Sequence, residues 1–122
     1  MTSMKTVLFS AAFVLAANAA EAASFKNLVA DGYAVGPMSR GKSGSWGWVL
    51  SKGDAKSFCS LRATVAIKNG TTLAGFSSAG RIIDMDRKVY EAYAGKISRP
   101  LLSDLKAGRL GNEDVGACSK LK

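Results

Sequence analysis

Apolar and polar positions alternate through residues 45–62, SWGWVLSKGDAKSFCSLR, on both sides of Gly53-Asp54. That is the pattern of a half-buried β-hairpin. A turn at Gly53-Asp54 pairs Leu50 with Ser57, Val49 with Phe58, Trp48 with Cys59 and Trp46 with Leu61. Trp46, Trp48, Leu50, Cys59 and Leu61 then share one apolar face. Both tryptophans and one of the two cysteines fall in this stretch, so the other elements are placed relative to it.

Upstream, Ser24 is an N-cap residue and Phe25, Leu28 and Val29 recur at helical spacing, which predicts a short helix over Ser24–Asp31 ended by Gly32. Tyr33–Val35 starts a strand that Pro37 terminates or confines to a sheet edge. The small, basic stretch Ser39–Gly44 reads as a mobile loop. After the central hairpin, Ala63–Ile67 continues the second arm and Asn69-Gly70 returns the chain along Thr71–Phe76. Arg81–Met85 reads as a last strand. From Asp84 or Asp86 the period changes: Met85, Val89, Ala92 and Tyr93 lie near one helical face, and Gly95 stands at a C′ position. Pro100 precedes a second short helix over Leu101–Ala107, closed by Gly108. Asn112-Glu113-Asp114 opens a final turn or helix carrying Cys118, with Lys120 and Lys122 at its C-terminal end.

The expectation is an α+β fold: a small antiparallel β-meander, with hairpins over 45–62 and 63–76, followed by short helices in the C-terminal third. Residues 1–22 stand apart as a secretory leader. Lys5 is its positive start, Val7–Ala17 its apolar run, and small residues fall in AxA order at Ala17–Ala19 and Ala20–Ala22. Cleavage is expected after Ala22, with Ala19 the second choice, leaving one domain over 23–122. The run is short for a transmembrane helix, which needs roughly 20 apolar residues.

Export changes how the cysteines read. Cys59 and Cys118 are the only possible intramolecular pair, and an oxidising compartment favours the disulfide. The formal charge is +8, and Lys5 and Glu21 leave together with the leader, so a small basic domain is exported. The cations are spread along the chain, and most read as solvated surface charge. Arg40 and Lys42 lie at one end of a strand and Lys52 and Lys56 at the other, making a basic edge beside the Trp face. Trp46 and Trp48 read either as core or as an exposed platform for a partner or a sugar ring, with Gly44 and Gly47 allowing close backbone approach.

Catalytic chemistry is sparse. The chain has no histidine, which removes the commonest general base and the usual zinc ligand. Two distant cysteines make no CxxC site. Gly75–Ile82 has the glycine spacing of a phosphate loop, but Arg81 and Ile82 replace its lysine and hydroxyl residue, so no nucleotide is expected. Asp84 and Asp86 form the one close carboxylate pair ahead of Glu113-Asp114; they serve either as helix cap and Arg87 or Lys88 partner, or as an acid/base pair.

LVADGYAV, a loop and then WVLSKGDAKSFCSLR resembles small exported proteins common in alphaproteobacteria, with a leader, a GY-x-V strand and a G-x-x-x-x-x-C hairpin near mid-chain. The resemblance covers about Leu28–Leu61; it implies a periplasmic, β-rich protein and carries no activity. The reading is therefore a non-enzymatic periplasmic binding or accessory protein for an acidic protein or anionic envelope polymer, with inhibitor or immunity-type roles included. No cofactor or metal is expected. The alternative is a small hydrolase or lytic effector using Asp84, Asp86 or Glu91.

Overall fold

The computed structural model describes residues 24–121; the expected leader and Lys122 lie outside the described residues. Ser24 caps α1 (Phe25–Ala30), its Oγ accepting the Asn27 N–H at 3.2 Å. Phe25 and Leu28 are the residues this helix buries.

Four strands form the first antiparallel sheet, in the order β1 (Ala34–Arg40), β2 (Trp46–Lys52), β3 (Ala55–Leu61), β7 (Val115–Lys120). Pro37 is at the edge, where the β1–β2 register shifts between Val35 and Met38. A residue with no N–H is tolerated at such an irregularity. Ser39 and Arg40 pair with Gly47 and Trp46, so strand claims the first two residues of the expected loop. In the central hairpin Leu50–Ser57, Val49–Phe58 and Trp48–Cys59 pair as the alternation predicts, and the ladder runs from Lys52–Ala55 to Gly47–Ser60. Gly53 has φ +60° and Asp54 does not share it, the pattern of a type II′ turn.

The expected single meander is corrected here. β4 (Val65–Ile67), β5 (Thr72–Phe76) and β6 (Ile82–Asp86) form a separate three-stranded antiparallel sheet. The edge of β3 that a meander would offer to β4 is taken by β7. The Asn69-Gly70 turn also differs from the two-residue hairpin that the dipeptide predicts. Gly70 does not use positive φ; instead Asn69 Oδ1 accepts the N–H groups of Thr71 and Thr72, each at 2.9 Å.

Two helices follow. Asp86 caps α2 (Arg87–Ala94), its Oδ1 accepting the Val89 N–H at 3.0 Å. α3 (Leu102–Ala107) ends at Gly108 in the left-handed region. The C-terminal segment is a second correction. Asn112–Asp114 forms one 3₁₀ turn, and the residues around Cys118 are strand β7 rather than helix. Tertiary pairing overrides the local N-cap signal, because β7 satisfies the free edge of β3 and sets Cys118 opposite Cys59. The disulfide joins that pair, Cα to Cα 4.0 Å.

One core serves both sheets. Trp48, Leu50 and Cys59 from the hairpin pack with Ala66 and Ala74 from the second sheet, Leu102 and Leu105 from α3, and Phe25 and Leu28 from α1. Trp48 is fully buried, and its indole N–H donates to the Leu105 carbonyl at 2.7 Å. The same carbonyl, in the last turn of α3, also accepts the Gly108 N–H at 3.2 Å. At about 25 cal/mol per Å², burying an indole of this size contributes roughly 4–6 kcal/mol before entropy is subtracted.

Candidate functional site

The two tryptophans have different fates. Trp48 is core, as one of its two readings had it. Trp46 is half-buried; its Nε1 donates to the Gly80 carbonyl at 2.9 Å. Arg40 donates to the same carbonyl at 2.6 Å, and its guanidinium carbon lies 5.4 Å from the Trp46 ring centroid. Gly80 has φ +82°, and a Cβ there would strike the Gly44 carbonyl and the Arg40 guanidinium. Arg40, Trp46 and Gly80 thus form a joint between the end of the first sheet and the turn leading to β6. Neither tryptophan stands out as an open platform.

The opposite face of the same sheet carries a different aromatic. Val49 and Phe58 face each other across β2 and β3, out of phase with Trp48 and Cys59, so alternation turns them outward. The Phe58 ring lies over two glycines: a Cβ on Gly41 would come within 2.8 Å of it, and one on Gly47 within 2.6 Å. Val49 and Phe58 line an open groove of about 450 Å³ together with Arg40, Gly41, Lys42, Ser43, Ser119 and Leu121. Lys56 lies two residues before Phe58 on β3 and is exposed, so it shares the outward face. Lys56, Phe58 and Lys42 therefore make a row along one side of the sheet, cation to ring to cation. The sequence pattern singles out the tryptophans and not Phe58, although the alternation sets Phe58 out of phase with Trp48. Lys52, at the turn, is instead 3.5 Å from Asp31 in an exposed ion pair.

Fifteen of the seventeen Lys and Arg are described, and five of them, Lys52, Lys68, Arg87, Arg99 and Arg109, stand in ion pairs. Of the eight described carboxylates, seven are held within the fold: six in those pairs and Asp86 by its helix amide. Only Asp54 has no such partner among the described residues. Ten described cations thus stand outside any ion pair among the described residues. Lys42 and Lys56 are two of these.

The acidic candidates are engaged elsewhere. Asp84 Oδ2 accepts from Lys68 Nζ at 2.9 Å on the surface, and Asp86 caps α2. Glu91 Oε2 accepts the Ile97 N–H at 3.0 Å and Arg87 Nε at 3.3 Å. The Ile97 N–H, then Arg87 and Lys96, hold the Glu91 carboxyl below its ordinary 4.5, against an opposing effect of burial. That direction is the reverse of what a general acid working near neutral pH needs. Among the described residues no group of three potential metal ligands converges, and no helix is long and apolar enough to cross a membrane. No family model, curated protein or solved structure matches the chain.

Proposed function

We propose that this is a non-enzymatic binding module of the cell envelope, engaging an anionic envelope polymer or an acidic protein through the outer face of the four-stranded sheet. The observation that carries the proposal is the charge accounting. Among the described residues the fold engages seven of eight side-chain carboxylates and leaves Lys42, at the groove, and Lys56, two residues before Phe58 on β3, outside any ion pair. A shallow groove with an apolar floor and a cationic rim suits a chain that lies along it, the ring of Phe58 meeting an apolar face of the ligand and the lysines its carboxylates or phosphates. The expected leader delivers the protein to a compartment where such polymers are found, and the likeness to small exported alphaproteobacterial proteins agrees with that location.

The test is binding of the oxidised protein to an acidic polysaccharide such as polygalacturonate, titrated with salt. Affinity should fall as ionic strength rises. Lys42→Gln/Lys56→Gln should weaken binding about tenfold, at about 1.4 kcal/mol per decade, and Phe58→Leu should weaken it further. Binding indifferent to both changes would remove the outer face from consideration. Tight binding to one acidic protein that survives high salt and is lost with Phe58→Leu would select the protein-partner form of the proposal.

A further inference from the structure

Six large apolar side chains are exposed among the described residues, and four of them, Ile82, Ile83, Val89 and Tyr93, fall within β6 and α2. Tyr93 is 94% exposed, Val89 62% and Ile83 50%. α2 buries none of its residues. Its apolar side, expected from Met85, Val89, Ala92 and Tyr93, is therefore left largely exposed. Ile83 and Met85 point to one side of β6, and Met85, Asp86, Val89, Tyr90 and Tyr93 line a depression of about 360 Å³ where strand passes into helix. Contiguous exposed apolar surface of this kind marks an interaction site.

The charges around it narrow the occupant. Arg81, Lys88 and Lys96 are exposed and have no ion-pair partner among the described residues. The carboxylates of the same segment, Asp84, Asp86 and Glu91, are each bound within the fold. Asp86, at the depression, is the one carboxylate of this segment without an ion pair among the described residues, so an approaching anionic surface meets three unpaired cations against one unpaired carboxylate. A side chain standing out almost completely, as Tyr93 does, is shaped for entering a soft interface rather than for filling a rigid pocket, and tyrosine favours the boundary between apolar chains and water.

We infer that β6 and α2 form a peripheral docking face for an anionic lipid surface, with Val89, Tyr93 and Ile83 entering the headgroup boundary and Arg81, Lys88 and Lys96 meeting lipid phosphates. This is an interfacial contact of a short amphipathic helix, not a span. It uses a different face from the Lys42–Phe58–Lys56 row and does not rest on that reading.

The experiment is co-sedimentation of the oxidised protein with vesicles of phosphatidylglycerol and phosphatidylcholine in equal parts, beside vesicles of phosphatidylcholine alone. Partitioning should favour the anionic vesicles. It should fall about thirtyfold in Lys88→Gln/Lys96→Gln, as expected for removing two cations at a charged surface, and at least tenfold in Val89→Ser/Tyr93→Ser. Both pairs are exposed, and circular dichroism verifies that the fold is kept. Lys42→Gln/Phe58→Leu should partition like the unaltered protein. The inference is overturned by absence of binding, by equal binding to both vesicle types, or by loss in the Lys42/Phe58 variant with retention in Val89→Ser/Tyr93→Ser. A concentration-dependent dimer that Val89→Ser/Tyr93→Ser disperses, without vesicle binding, also overturns it and assigns the face to a second copy of the chain.

Discussion

A methyl group is enough to separate the two glycines that flank the candidate groove and the second hairpin. At Gly47 a Cβ would meet the Cys59 carbonyl and the Phe58 ring, both fixed by the β2–β3 ladder. Gly47→Ala is expected to cost about 1–3 kcal/mol in urea unfolding, because the ladder or the ring must move. At Gly70 a Cβ would meet nothing within 4 Å and φ is not positive. Gly70→Ala should be neutral or stabilising by up to about 1 kcal/mol, through lost freedom of the unfolded chain. Asn69→Ala should cost about 1 kcal/mol or more, since Oδ1 holds the Thr71 and Thr72 amides and the Thr71 hydroxyl. A loss at Gly70 with none at Asn69 would mean that the turn is a two-residue hairpin after all. The dipeptide correctly signals a reversal here, but the side-chain acceptor decides which reversal forms.

At the scale of elements, α2 is held by its ends rather than by a core. Asp86 caps its start, and Arg87 and Glu91 clasp it to Ile97, Arg87 Nη2 donating to the Ile97 carbonyl at 3.1 Å. An eight-residue helix without buried side chains is marginal in water, so these bonds decide whether it forms. Glu91 titrates below its ordinary 4.5 in the folded chain, so the clasp's contribution is whole above that value and is lost as pH falls through the lower, folded one. The Ile97 amide resonance should therefore shift in acid, below about pH 4.5, and the titration should vanish in Glu91→Gln; an amide indifferent to pH would show that the bond does not form in solution. Elements with strong local signals were legible in the sequence. The Ser24 cap, the Gly53-Asp54 hairpin and the Asp86-to-Gly95 helix each carry their own start or stop residues within one segment. β7 was not legible: six residues with weak alternation become strand only because β3, far away in the chain, offers an edge. The groove was half legible, for the lysines and the alternation of Phe58 are in the sequence, whereas the fate of Trp46 depends on a carbonyl at Gly80 that only the second sheet supplies.

At the scale of the molecule, two sheets share one core, and two devices hold them in place. The Arg40–Trp46–Gly80 joint fixes the second sheet to the end of the first, and Trp46→Phe, which keeps the ring but loses the indole N–H, should cost about 1 kcal/mol. The disulfide does more, because it closes a separation of 59 residues that contains the whole second sheet, α2 and α3. In the chain-entropy model that closure contributes roughly 4 kcal/mol, against a total of about 5–15 kcal/mol for an ordinary domain. For about 100 residues, each 1 kcal/mol moves Tm by about 4–8 °C, so reduction should lower Tm by roughly 15–30 °C in calorimetry. Cys59→Ala/Cys118→Ala should fall at least as far, since Cys59 also fills a fully buried position. If reduction moved Tm by only a few degrees, β7 would be held by Val115 and the ladder alone. The disulfide would then be a consequence of the β3–β7 pairing and not its cause. A drop of the expected size would instead make the disulfide a principal support of the arrangement that presents the groove and the β6–α2 face.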